Sequence, residues 1–351
     1  MPIGGWVQPP SGSYGADTPD SKRRFYNLAK ASGILKNLVC PDAIPASRTD
    51  MLRVHTERYI DLFKEVSDAG GGELGPSAPF SKGGFEIAAL SAGLAIEAVK
   101  DVVAGEVDKA YALCRPAGHH CMPDHAMGLC LLANIPIAIE AARAQFGALR
   151  AAVVDWDVHH GNGTQHVYYD RGDTLTISLH QDRCFPTGYG GIEDRGSGNG
   201  EGCNLNIPLP PGSGHETYLS AIDTIVVPAL ERFNPDLIVI ASGLDASGLD
   251  PLGRMMLHSG SYREMTARMV AVADRLCNGR LVVVHEGGYS EYYVPFCGQA
   301  ILETLSGRST AVEAPDMEMH LGWQPSPRVV AFHAELIHEM AVEFGLAIQD
   351  K

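Results

Sequence analysis

Unbroken apolar runs recur along the chain, separated by stretches whose apolar positions return every three to four residues. The runs are KAYALC (109–114), RAAVVDW (150–156), TLTISL (174–179), DLIVIA (236–241) and RLVVVH (280–285). A strand buried on both faces reads as continuous apolar sequence, whereas a half-buried one alternates. Such strands alternating with helical segments predict an α/β fold, with a mainly parallel central sheet covered by helices on both faces. Helical periodicity marks SKRRFYNLAKASGIL, with Gly33 near its stop, DMLRVHTERYIDLFKEVS, and residues 85–103. The run MGLCLLANIPIAIEAA carries Asn134, Pro136 and Glu140, so it predicts a buried helix, not a membrane span. DAGGGELGPSAPFSKGG (68–84) predicts a long Gly/Pro loop. No break in the pattern divides the chain. The expectation is one domain over 1–351, with a surface loop at 1–20 and a C-terminal extension at 311–351.

Each run opens into polar, glycine-rich sequence: RPAGHHC, DWDVHHGNG, HQDRCFPTGYGG, SGLDASGLDP and HEGGYS. In open α/β sheets, ligands bind outside the carboxyl ends of the strands. Seven of the 14 histidines fall between 119 and 180, so the chemistry concentrates there. Buried carboxylates and imidazoles are costly unless paired. Residues i and i+2 of an extended segment project the same way, so Asp157 and His159 can face one ion, with Asp245 as a third ligand. That donor set suits Zn²⁺ with an open position, where bound water becomes a nucleophile near neutral pH.

His119 and His120 follow a glycine on a turn and suit acid–base work. His120 can take a proton from the water and pass it to a leaving amine. Asp155 is the expected partner of His119, and Asn162 of His120. Tyr289, after two glycines, can donate to an oxyanion. His160 reads as structural. Singly, each residue has a plainer reading: Asp157 and Asp245 cap helices, His159 is a satisfied core histidine, Tyr289 packs. Their coincidence at strand ends favours a site.

Charge and cysteines narrow the class. A net charge of −15 argues against a general nucleic-acid binder. None of the eight cysteines forms a C-x-x-C pair, so they read as reduced thiols of a cytoplasmic protein. No secretory leader or membrane-length apolar run is expected.

RPAGHH, DWDVHHGNGT, ISLHQD, SGLDASGLDPLG and HEGGY, in this order, resemble the histone deacetylase superfamily. The likeness runs from about residue 15 to about residue 308. It is strongest to the bacterial class II-like branch, with its acetylpolyamine and histone deacetylase-like amidohydrolases. LRVHTERYI resembles that family's N-terminal helix. The resemblance implies the arginase/deacetylase fold, with a central, mainly parallel, eight-stranded sheet. It implies zinc at Asp157, His159 and Asp245, His120 as general base and acid with His119 beside it, and Tyr289 polarising the carbonyl. It implies a structural K⁺ held by Asp155, Asp157, His159, Ser178 and Leu179, largely through backbone carbonyls, and a second monovalent cation near Tyr168 and Arg171.

The resemblance also implies a substrate tunnel lined by Gly128, Phe185 and Gly287. Leu129 stands where the family usually has a second Phe, and Leu252 where a polyamine-selective relative has an acidic gatekeeper. Asn162 stands where class I enzymes carry Asp. Tyr289 stands where weakly active vertebrate class IIa enzymes carry His, which favours a working catalyst. The implied substrate is an acyl-lysine, an acetylpolyamine or a small amide. Nucleic-acid and membrane partners are not expected, and the 1–20 segment and the tail after 310 are candidates for a homo-oligomer contact.

Three rivals remain in view. A binuclear manganese ureohydrolase needs a D-x-H-x-D pattern, which DWDVHHGNG lacks. A haloacid dehalogenase-type phosphatase would use DWD but leave the histidine pair and HEGGY idle. A silent acyl-lysine reader would not need His119, His120, Asp155 and Tyr289 together.

Overall fold

A computed structural model describes residues 17–347; the first 16 residues of the expected N-terminal loop lie outside them. Two short strands, β1 (Gly71–Glu73) and β2 (Pro79–Ser81), pair antiparallel within the 68–84 segment. The other strands form one parallel sheet: β3 (Lys109–Ala112), β4 (Ala151–Asp155), β5 (Thr174–Gln181), β6 (Asn204–Leu209), β7 (Leu237–Ser242) and β8 (Leu281–His285). Their order is β3-β8-β7-β4-β5-β6, every neighbouring pair parallel. The α/β class is as expected, but the central sheet has six strands among the described residues, not eight. β1 and β2 spend their backbone bonds on each other and stay outside it.

Alternation explains the two-sided core. Ala152, Val154, Ile238 and Ile240 enter one apolar cluster, while Ala151, Val153, Leu237 and Val239 enter the other. Successive strand residues point to opposite faces, so a continuous apolar run is what such a sheet requires. β6 departs from that rule. Asn204, Asn206 and Pro208 alternate with Leu205, Ile207 and Leu209. It is an edge strand, where Pro is tolerated, and its asparagines face a polar cavity described below. An all-apolar criterion misses it.

Two helical expectations need correction. The segment around 50–67 is two helices, Arg48–Met51 and Glu57–Ala69. Thr56 breaks it by capping the second, its side chain accepting from Tyr59 N at 3.3 Å. The apolar run at 127–142 is helical only from Asn134. Its first part is a tight turn in which Leu129 takes φ 65°, incompatible with a helix. The tail at 311–347 contains helices Met317–Gly322 and Pro327–Glu343, and Ile337, Met340, Ala341 and Phe344 join the main core. Among the described residues, no helix is long and apolar enough to cross a membrane.

From β4 the chain continues through β5 and β6 on one side, then returns to β7 and β8 on the other. The loops after β4 and β7 therefore diverge at a topological switch point, where open α/β sheets form a crevice.

Candidate active site

The loop after β4 is fixed from both sides. Trp156 N–H donates to Ala241 O at 3.1 Å, and its indole Nε1–H to Ser242 Oγ at 2.9 Å. This locks the loop to β7 and turns Asp157 and His159 toward Asp245. Asp157 Oδ1 accepts from His159 N–H at 2.9 Å, Asp157 Oδ2 from Gly287 N–H at 2.8 Å, and Asp245 Oδ1 from Val158 N–H at 2.9 Å. Ligand atoms of Asp157, His159 and Asp245 all lie within 4.8 Å of one another, and all three residues are buried.

His159 Nδ1 is 3.0 Å from Asp157 Oδ1 and 3.2 Å from Asp245 Oδ2. Two oxygen or nitrogen ligands of one tetrahedral zinc sit roughly 3.3 Å apart, given bond lengths of about 2.0–2.1 Å. Asp245 Oδ2 makes no hydrogen bond although fully buried. Gly287 leaves the room: a Cβ there would stand 2.0 Å from Asp245 Oδ2 and 2.6 Å from Asp157 Oδ2. The electrostatics favour a cation. Despite its burial, His159 is held well above the usual imidazole range by Asp157 and Asp245. Burial and the neighbouring Asp157 raise the Asp245 carboxyl. Three donors, an orphaned oxygen and two adjacent buried carboxylates fit a divalent metal.

The histidine pair comes from the turn after β3. His119 Nδ1–H donates to Asp155 Oδ2 at 2.9 Å, and His120 Nδ1–H to Asn162 Oδ1 at 2.8 Å. Each histidine thus meets the partner expected for it; His120 keeps Nε2 as a free acceptor, while His119 Nε2 lies 3.8 Å from Asp157 Oδ2. Their rings lie 3.9 Å apart. Burial, with His119 and His159 as cationic neighbours, holds His120 well below its usual range. His119 is pushed up to about 10: its burial opposes, but Asp157 and Asp155 outweigh it. Burial chiefly lifts Asp155 to about 6, against the pull of His119. One histidine of the pair is built to stay neutral, the other to share a proton with a carboxylate.

The loop after β8 carries Tyr289, whose ring centroid is 6.5 Å from that of His159. Burial first, then Asp245 and Asp157, raise its phenol well above the usual range, so it stays an O–H donor. Two residues absent from the sequence reading hold this loop. Asp250 Oδ2 accepts from Tyr289 N–H at 2.7 Å and from Ser290 N–H at 3.2 Å. Glu286 Oε2 accepts from Gly118 N–H at 2.6 Å and His119 N–H at 3.1 Å, tying the tyrosine loop to the histidine turn. Both lie inside the motifs SGLDASGLDP and HEGGY. An acidic residue within a glycine-rich motif was the available signal. A third, Lys22, is buried, donates to Gly288 O at 3.3 Å and lies 5.5 Å from the centre of the Tyr289 ring. Nothing in SKRRF signals a buried lysine.

Phe185 stands edge-on to His120, with ring centroids 5.0 Å apart. Gly128, at φ 53°, fits between them: a Cβ would come 2.5 Å from His120 Cδ2 and 2.6 Å from Phe185 Cε1. Leu129 is buried beside it and Leu252 half-buried. Cys184 is half-buried, and the neighbouring His159 ring holds its thiol below the usual range despite that burial.

His160 turns the other way. Its Nε2–H donates to Gln165 Oε1 at 3.0 Å and Asn206 Oδ1 at 3.1 Å. Burial lowers it to about 4. It borders a small polar cavity lined also by Asp155, Thr164, Gln165, Ser178, Asn204 and Asn206. Of the residues expected around potassium, Asp155 and Ser178 line this cavity, with Leu179 next along β5. At the expected second cation site, the guanidinium groups of Arg143 and Arg171 stand 5.8 and 5.5 Å from the Tyr168 ring.

Comparison with known proteins bears on the family and the fold. The family model described as histone deacetylase domain matches residues 17–305. The chain is 56% identical over 346 residues to a histone deacetylase-like amidohydrolase of Pseudomonas aeruginosa, covering 99% of this chain and 91% of that one. It is 40% identical over 284 residues to a probable deacetylase of Archaeoglobus fulgidus, covering 80% and 78% respectively. Among solved structures, the HDA15 HD domain superposes with a TM-score of 0.83 at 30% identity, covering 94% of this chain and 90% of that one.

Proposed function

The chain belongs to the histone deacetylase domain family, and from that premise we propose that it hydrolyses an N-acyl amide at a zinc ion held by Asp157, His159 and Asp245. Deacetylase or amidohydrolase chemistry is what membership supports; the metal, the proton route and the substrate are the proposal. The observation that carries it is the ligand set, whose separations of 3.0 and 3.2 Å match two edges of a zinc tetrahedron. Bound there, zinc would polarise the acyl carbonyl and acidify the attacking water toward neutrality.

The protein's own groups do the rest. His120 enters neutral, with Nε2 free because Nδ1–H is committed to Asn162. It takes the proton of the attacking water and returns it to the leaving amine. His119, paired with Asp155, supplies positive charge beside it. Tyr289 O–H donates to the oxygen on which negative charge develops. Glu286 and Asp250 hold the two loops in register through backbone amides. Phe185, Leu129, Gly128, Gly287 and Leu252 form the channel for the acyl-amine chain. Its substrate is an acyl-lysine, an acetylpolyamine or a small amide. A structural K⁺ at Asp155, Asp157, His159, Ser178 and Leu179 would brace the loop from behind.

The test is a fluorogenic acetyl-lysine assay on metal-stripped protein. We expect no turnover until one equivalent of zinc is restored, and inhibition by a hydroxamate. Full activity after exhaustive chelation would refute the reading.

A further inference from the structure

A second group of metal-ligating side chains lies beside the first. His119, Cys130 and Glu286 are all buried, and their ligand atoms lie within 4.8 Å of one another. We propose that these residues form a second, inhibitory site for a soft divalent cation such as Zn²⁺ or Cd²⁺.

Each residue has donor capacity to spare. His119 commits Nδ1 to Asp155 and leaves Nε2. Glu286 commits Oε2 to two backbone amides, while its Oε1, fully buried, has no hydrogen-bond partner. Cys130 contributes a sulfur that is fully buried. An imidazole, a carboxylate and a thiolate are a zinc-type set with a fourth position open, and the thiolate discriminates against Mg²⁺ and Ca²⁺. On binding, the Cys130 thiol and the protonated His119 imidazole each lose a proton to solvent, so occupancy rises with pH. No redox step is involved.

The consequence follows from shared parts. His119 belongs to the acid–base pair, and Glu286 holds the turn that presents both histidines. An ion on them neutralises the charge that the Asp155–His119 pair provides. The enzyme would therefore be activated by the first equivalent of zinc and inhibited by excess. This consequence rests on the function proposed above; the site itself does not, because its ligands differ from Asp157, His159 and Asp245.

Cobalt titration of the metal-stripped whole chain separates the two. The first site has no sulfur, so the first equivalent of Co²⁺ should give visible d–d bands without a sulfur-to-metal charge-transfer band. Further Co²⁺ should add that near-ultraviolet band. Cys130→Ser should abolish it and Glu286→Gln should weaken it, each retaining the wild-type circular dichroism and the first-site bands. Asp245→Ala should remove the first-site bands and keep the sulfur band. Binding that stops at one equivalent with no sulfur band would overturn the proposal. So would a sulfur band that survives Cys130→Ser, since that would assign it to another thiol such as Cys184. Failure of the first-site bands alone would count against the proposed function and leave the second site standing on its own signal.

Discussion

The loop between Asp155 and Asn162 separates two buried polar chambers, and consecutive histidines face into each. His159 meets Asp157 and Asp245; His160 meets Gln165 and Asn206. Both rings are buried, and desolvation presses on both in the same direction. Yet His159 ends well above the ordinary range and His160 falls to about 4. The difference lies in the partners' formal charge. Carboxylates outweigh the cost of burying a cation and so suit a metal ion; neutral amides do not, and hold an uncharged ring as scaffold.

The largest expected effect comes from breaking the charged chamber. Asp157→Ala or Asp245→Ala should abolish bound zinc and reduce amide hydrolysis to background, measured by metal analysis and a fluorogenic assay on the same preparation. Next is the proton path. His120→Ala should lower kcat by about 10²–10⁴, the usual worth of a positioned acid–base group. Tyr289→Phe removes one oxyanion donor and should cost about 10²–10³ in kcat. A Tyr289→Phe enzyme within about threefold of wild type, well short of that loss, would show that the phenol only packs.

The amide chamber should declare itself in stability instead. His160 titrates near 6.5 when unfolded and about 4 when folded. The unfolded chain therefore binds the proton first. Stability is fully present above pH 6.5 and lost as pH falls toward 4, by about 2 kcal/mol at pH 5. His55, also lowered to about 4 by burial, adds in the same sense; its Nδ1–H donates to Pro123 O and its Nε2 accepts from Ala133 N–H. Urea unfolding at pH 7 and pH 5 should show the loss, and His160→Gln should reduce it. An unchanged pH slope in that variant would mean that His160 is not the buried neutral ring.

The smallest effect concerns the tunnel wall, which belongs to neither chamber. Leu129→Phe should narrow the channel opposite Phe185 and shift kcat/KM toward a linear acetyl-lysine over a bulky amide. One side chain in an apolar pocket is worth about 1 kcal/mol, at the lower end of its class. An unchanged ratio would remove Leu129 from the wall.

Much of this site was legible because its logic is local. Asp157 and His159 share a face by i, i+2 spacing, and the strand ends announce where the loops converge. The pairings of His119 with Asp155 and His120 with Asn162 followed from what an imidazole needs. What escaped has long-range causes. β6 hides behind Asn204 and Asn206, which are polar because they serve the amide chamber. Glu286 and Asp250 act through backbone amides 168 and 39 residues away, and Lys22 is buried only because the chain folds back onto Gly288. The turn at Leu129 breaks an apolar run that periodicity alone extends into a helix. The eight strands were implied by the resemblance and not by the apolar runs; the described residues give six in the central sheet, and β1 and β2 pair only with each other.

On the proposed function, the carboxylate chamber, and not the amide chamber, holds the catalytic metal. The direct measurement is zinc content after dialysis of His159→Ala and His160→Gln, each checked for a wild-type fold by circular dichroism. His160→Gln should keep one tightly bound zinc per chain, and His159→Ala should keep none. A folded His159→Ala that retains its zinc, or a folded His160→Gln that loses it, would mean that the metal is not held by the carboxylate chamber.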